Sequence, residues 1–191
     1  MFQSIYSWLR GLSYRVFKSP LIRRVVKNSG YLFSATGASA AISMLQGILV
    51  ARMLGVAGYG VLGTIILFTS VVNKLCSFRM SELVVKYVGL YNQEQEPKRA
   101  AAVFKVAALT EIVASLAAFG LIILLAPLAA RLLAKDESTT VYFVIYGLIV
   151  LVNLISESST GLLQFYDRFR HIGSVFVIQS LVTFFIIAIV Y

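Results

Sequence analysis

Five long apolar stretches limit what this chain can become: Tyr31–Ala51, Val61–Phe78, Ala100–Ala130, Val141–Leu163 and Ile172–Tyr191. A helix needs about 20 mostly apolar residues to cross roughly 30 Å of hydrocarbon. Leu, Ile, Val, Phe, Ala and Gly dominate each stretch. None has the charged face, repeating every 3.6 residues, that a helix on a soluble bundle requires. Only 13% of the 191 residues are charged, against about a quarter in a soluble domain. The expected fold is therefore all-α: a polytopic transmembrane helical bundle of about five spans. The connections are expected to be short: a glycine turn at Leu54–Gly60, a polar loop at Asn92–Pro97 whose proline suits the start of the third helix, a turn at Lys135–Thr140 and a basic loop at Tyr166–His171. None is long enough to separate domains, so residues 31–191 are read as one membrane domain.

Residues 1–30 have a different character. They carry Arg10, Arg15, Lys18, Arg23, Arg24 and Lys27 and no acidic residue. Trp8, Leu9, Leu12 and Arg15 follow helical spacing, which suggests a basic amphipathic segment lying among the headgroups; a disordered basic tail is the plainer alternative. Basic residues also orient the chain. With the N-terminus cytoplasmic, eleven of the 17 basic residues fall inside, and only Arg52, Arg131 and Lys135 fall outside. The expected location is the inner (cytoplasmic) membrane, with the N-terminus inside. The net charge of +9 is explained by this topology and does not call for nucleic acid as a partner. The single cysteine, Cys76, allows no intrachain disulfide and no zinc cluster.

Polar residues within the spans carry what functional signal there is. Ala35, Ser39, Ser43, Gly47 and Ala51 form a small-residue stripe, and the third span is rich in alanine, as helix-packing seams in lipid are. Ionisable residues at membrane depth are costly and by default face a bundle interior or a wet cavity. Lys74 and Glu111 lie within spans two and three, and Asn153 and Glu157 lie one helical turn apart in span four. Arg79, Glu82 and Lys86 are spaced to pair along one face. Two readings compete for these residues. Arg79, Glu82 and Lys86 are near enough to the inner leaflet for ion pairing and snorkelling, whereas Lys74, Glu111 and Glu157 are deep enough to line a path for a hydrophilic solute. No metal-ligand spacing, phosphate-cradling loop or catalytic triad stands out, so neither enzyme chemistry nor a metal site is expected.

Several motifs resemble one family. The turn ARMLGVAGYG (Ala51–Gly60), with Arg52, Gly55, Tyr59 and Gly60, looks like the "A-R-x-L-G-x-x-x-Y-G" turn of lipid-linked oligosaccharide flippases, the polysaccharide-transporter branch of the multidrug/oligosaccharide-lipid/polysaccharide exporter superfamily. FRMSELVVKYVG (Phe78–Gly89) is similar to the end of the second helix in that branch, LLAPLAARLL (Leu124–Leu133) to the end of the third, and GLLQFYDRF (Gly161–Phe169) to the segment after the fourth. The resemblance covers about residue 28 to 191. It implies alternating-access export of lipid-linked saccharides for O-antigen, capsule or exopolysaccharide. Basic residues would hold the anionic pyrophosphate, and coupling would be to H+ or Na+ with no other cofactor.

Members of that family place a V-shaped cavity between two bundles. Five spans resemble part of the N-terminal lobe, so a truncated half or fragment is expected. Its partners would be membrane lipids, the lipid-linked saccharide and a second lobe or partner chain, and the chain alone is not expected to transport. The alternatives are a small-molecule or drug exporter of the same superfamily and a non-transporting membrane subunit.

Overall fold

The computed structural model describes residues 20–190, with side chains from residue 26 onward, and every element among the described residues is helical. Helix α1 (Pro20–Cys76) is followed by α2 (Met80–Gln93) and α3 (Pro97–Ala129). A π-type turn at Ala130–Ala134 and a 3-10 turn at Glu137–Thr139 then lead to α4 (Thr140–Val152), α5 (Ser156–Phe165) and α6 (Phe169–Val190). The amphipathic face expected around Trp8, Leu9, Leu12 and Arg15 lies outside the described residues.

Helix α1 is two limbs joined at one residue. At Gly55 φ is 69° and ψ is 177°, a backbone region that is essentially closed to residues with a side chain. Two contacts show that the chain reverses there. Asn28 donates a hydrogen bond to Asp167 (3.2 Å), two residues beyond Phe165. The Phe165 ring in turn packs against Gly89, where an added Cβ would sit 3.5 Å from it. Asn28 and Gly89 thus share one end of the bundle, and Gly55 marks the other. Among the described residues four helices are long and apolar enough to cross a membrane; because the first folds back on itself, they supply segments for five passes. The glycine turn expected across Leu54–Gly60 shrinks to Gly55 alone, since Gly58 and Gly60 remain helical.

The unbroken α3 runs antiparallel to the second limb of α1 and to α2, and the core forms three layers along it. Nearest the Gly55 end, Ile65, Ala126, Ala129, Ala130 and Phe143 pack together, with Phe68 edge-on to Phe143 at 5.4 Å. Val72, Ala118, Ile122 and Val150 form the middle layer. Met80, Val84, Val88 and Ala107 form the third, against Phe104, Leu162 and Phe165. Of the alanines expected to form a seam on this helix, Ala107 and Ala118 are buried, whereas Ala117 faces outward. The first limb of α1 packs against α6, where Gly173 leaves room for Ala35: a Cβ at Gly173 would lie 2.8 Å from that of Ala35. This places one end of the small-residue stripe in a packing seam.

The ends of the elements follow local chemistry. Pro97 opens α3, where its missing N–H costs no helical bond. Asp136 accepts a hydrogen bond from the Ser138 N–H (2.9 Å), and hydrogen bonding from the Ser138 side chain and backbone holds its carboxyl below the usual range.

Two glycines make the fold testable. A Cβ at Gly161 would lie 2.6 Å from the Ser81 carbonyl oxygen and 2.9 Å from its Cα, whereas one at Gly63 would meet nothing within 4 Å. Gly161→Ala should destabilise the protein by about 1–3 kcal/mol through overpacking of backbone against backbone, and Gly63→Ala should not; thermal unfolding in detergent reads the difference. Gly55→Ala should cost about 1–3 kcal/mol through backbone strain alone. An unchanged melting temperature there would mean that the reversal does not need a glycine conformation.

Candidate functional site

Two membrane helices are interrupted at the same level. The second limb of α1 ends at Cys76, and α2 starts at Met80 after a non-helical Ser77–Arg79. Further along, α4 ends at Val152 and α5 starts at Ser156, so the expected continuous fourth span is in fact two helices. Of Asn153 and Glu157, expected one turn apart on a single helix, Asn153 opens this break and Glu157 lies in the first turn after it. Neither break contains glycine or proline. Asn153 contributes to the second one: its Nδ2 donates to the Ile149 carbonyl at 2.9 Å, a local side-chain bond that competes with helix continuation.

A helix N-terminus leaves unpaired N–H groups, and hydrocarbon offers them no partner. Neither α2 nor α5 has a capping side chain at its own N-cap residue, Arg79 and Ile155 respectively. Other elements supply the acceptors. Glu111, on α3, accepts from the Glu157 N–H through Oε1 (2.8 Å), and through Oε2 from the Ser158 N–H (3.0 Å) and the Ser158 hydroxyl (2.7 Å). Glu157 then accepts from the Met80 N–H at 3.0 Å, which also faces the Phe78 carbonyl at 2.7 Å. Each carboxylate therefore caps a helix N-terminus from another element, at the positive end of the helix dipole. Glu111 holds α5, and α5 holds α2 through Glu157. Ser158, at the centre of this relay, is fully buried.

A cavity of about 220 Å³ opens beside the two acids and is lined also by Asn73, Ser77, Ser115, Asn153 and Ser156. Its charged lining groups are both carboxylates. The expected cationic contributors lie elsewhere. Lys74 is exposed, one residue beyond the cavity-lining Asn73. Arg79 pairs with Glu82 at 2.8 Å on the surface, and Lys86 lies over the Tyr87 ring, 5.3 Å from its centroid. The structure thus brings Glu111, Asn153 and Glu157 together and leaves Lys74, Arg79 and Glu82 outside the cavity. Asn73 and Ser158 were not anticipated, whereas Ser115, one turn from Glu111 on the same face, is legible from the spacing. Two carboxylates with amide and hydroxyl oxygens suit a proton or a small cation and repel an anion. Among the described residues no group of three or more His, Cys, Asp or Glu could hold a metal ion.

In the turn motif, Gly55 makes the reversal and the Tyr59 hydroxyl returns against Gly47, 3.4 Å from where a Cβ would be. Arg52 is exposed, and Gly60 offers its carbonyl to the Thr64 hydroxyl at 3.0 Å.

A bundle of this kind, crossed by interrupted helices that meet around half-buried carboxylates, defines a polytopic helical membrane protein with a polar site inside its membrane domain. The family is shown by sequence: residues 25–191 match the model of the family described as polysaccharide biosynthesis protein, and the chain belongs to that family. No curated protein and no solved structure matches the chain.

The hydrogen-bond relay predicts which amides each acid protects. Glu111→Gln should speed hydrogen exchange at the Glu157 and Ser158 amides and destabilise the protein by about 1–3 kcal/mol, the cost of leaving such donors unpaired. Glu157→Gln should expose chiefly the Met80 amide, with a smaller loss. Unchanged exchange at all three amides would rule out the relay.

Proposed function

We propose that this chain moves lipid-linked saccharides across the cytoplasmic membrane during polysaccharide export, as a flippase working by alternating access. The observation that carries this reading is the pair of broken helices around Glu111 and Glu157 in a member of a polysaccharide biosynthesis family. Interrupted membrane helices are costly, and transporters use them to place binding and coupling groups near the bilayer midplane. Transport needs no catalytic group, and the site is read as moving a substrate without altering it.

In this reading Glu111 and Glu157 couple transport to an ion, H+ or Na+. Loading the ion would neutralise the acceptor that holds α5 and α2 in place, so ion binding and helix position would be linked. The saccharide passes between this bundle and a second one, contributed by the same protein or by a partner chain. The Asn28 end, with Lys86, Lys98, Arg99, Arg168 and Arg170, faces the cytoplasm, in keeping with the distribution of basic residues. The absence of lysine or arginine from the cavity lining argues that the carrier's pyrophosphate is held elsewhere.

The test is made in cells that depend on this gene for a surface polymer. Deletion should abolish surface polymer and cause lipid-linked saccharide to accumulate on the cytoplasmic side. Glu111→Gln and Glu157→Gln should each lower surface polymer at least about tenfold at equal protein level, the scale on which charge-specific site residues act, whereas Lys98→Ala should have little effect. Normal polymer display and normal lipid intermediates in the deletion would sink the proposal.

A further inference from the structure

A second polar site lies apart from the carboxylates, halfway along the first limb of α1 and halfway along α6. A groove of about 330 Å³ runs between these helices, which pack together more extensively than any other pair of elements. Helix α1 lines it with Thr36, Ser39, Ser43 and Gln46; α6 faces them with Phe176, Gln179, Ser180 and Thr183. No charged residue contributes to the lining.

These polar groups are mostly not used to hold the two helices together. The Gln46 amide donates to the Ser180 carbonyl at 2.6 Å, and the Thr183 hydroxyl donates to the Gln179 carbonyl within its own helix. The Ser39 hydroxyl oxygen is buried and has no hydrogen-bond partner. The side chains of Thr36, Ser43, Gln179 and Ser180 also lack protein partners among the described residues. At this depth lipid tails would surround such groups, and an unpaired hydroxyl or amide in hydrocarbon is costly. Only the Ser39 hydroxyl is both buried and unpaired, while Thr36, Ser43 and Gln179 are exposed, so a polar occupant would find free partners here and the uncharged lining favours a neutral one.

We propose that this groove is a binding subsite for neutral, hydroxyl-bearing sugar residues, an inference that rests on the transport reading above. A pyranose ring presents hydroxyls that both donate and accept, together with a C–H face. Gln46 and Gln179 carry amide donors and acceptors, and Ser39 and Ser43 carry hydroxyls that rotate to either role. Phe176, 43% exposed at the groove, supplies an apolar ring for the C–H face. The volume suits a small-ligand pocket with a few placed polar groups. Because the lining carries no cation, the subsite does not favour phosphate or acidic sugars. Sugar recognition and the acidic cavity are thus served by different faces of the bundle.

The experiment uses the full chain in phosphatidylcholine nanodiscs and two probes that share a lipid and a headgroup: undecaprenyl pyrophosphate and undecaprenyl-pyrophosphoryl-glucose. Native mass spectrometry reads their affinities. The glucose should tighten binding at least about tenfold, since a site built to hydrogen-bond hydroxyls discriminates strongly against their absence. Ser39→Val combined with Gln179→Leu should remove that gain and leave undecaprenyl pyrophosphate binding unchanged; Ser39→Thr combined with Gln179→Asn should retain most of it. In a second arm, the thiol introduced by Ser43→Cys in a Cys76→Ser background is labelled with a water-soluble maleimide, and methyl glucoside should slow the labelling.

If the lipids bind but the glucose gain is absent, or survives Ser39→Val/Gln179→Leu, the sugar subsite is overturned and the transport reading stands. If neither lipid binds but methyl glucoside protects the thiol, the transport reading falls and the subsite stands. If neither lipid binds and the thiol is unprotected, both fall. A thiol that stays unreactive because a co-purifying polypeptide covers it overturns the subsite in favour of a protein partner.

Discussion

A backbone N–H in hydrocarbon must find its partner within protein, and the Glu111 carboxylate meets that demand for the start of α5. Its two oxygens take up the Glu157 and Ser158 amides and the Ser158 hydroxyl. With those donors satisfied, α5 can begin inside the membrane domain, and Glu157 is then placed to take the Met80 amide and start α2. The close approach of α2 and α5, with Gly161 against the Ser81 backbone, depends on both starts. The third core layer follows from that approach, because Val84 and Val88 on α2 meet Leu162 and Phe165 on α5. One carboxylate on an unbroken helix therefore precedes, in causal order, the packing of a whole end of the bundle.

The legible part of the fold was the part governed by single-helix physics. Apolar length alone revealed the passes, and Pro97 and the Lys135–Thr140 turn marked real boundaries. Glu111 and Glu157 could be singled out because ionisable residues at depth are rare for a physical reason. Their role was less visible. The Ser77–Arg79 and Asn153–Ile155 interruptions contain none of the residues that break helices locally, and their caps come from residues 46 and 77 positions away. No local reading of α2 or α5 could locate a cap borrowed from another helix. Lys74 misled for a similar reason: depth along a helix is legible from position in the chain, but the face a residue shows depends on where neighbours pack. Asn73 reaches the cavity and Lys74, one residue on, does not.

The turn motif shows the opposite case. Three glycines in Leu54–Gly60 suggested a loop of several residues, yet only Gly55 leaves helical geometry. A reversal through one residue keeps nearly all backbone bonds within the two limbs, which suits a position close to the membrane. The remaining glycines are free to serve packing or to leave space for side chains, as Gly47 does for Tyr59.

The position of the relay between core layers has a mechanical consequence. On one side of it the second limb of α1, α3 and α4 share the two apolar layers around Phe143 and Ile122; on the other side α2 and α5 pack on each other and on the near end of α3. The two interruptions lie where these groups meet, so α2 and α5 form a pair attached through non-helical residues at both joints. An uninterrupted helix resists bending because its hydrogen bonds must lengthen together, whereas a break replaces that ladder with a few side-chain bonds. Here those bonds end on carboxylates, acceptors whose strength changes when a proton or cation arrives. Under the proposed transport function, stiff helices joined by such bonds would shift between two arrangements as an ion loads. An apolar junction of the same shape would have no such dependence, and this gives a physical reason for charge at the joint of an otherwise apolar bundle.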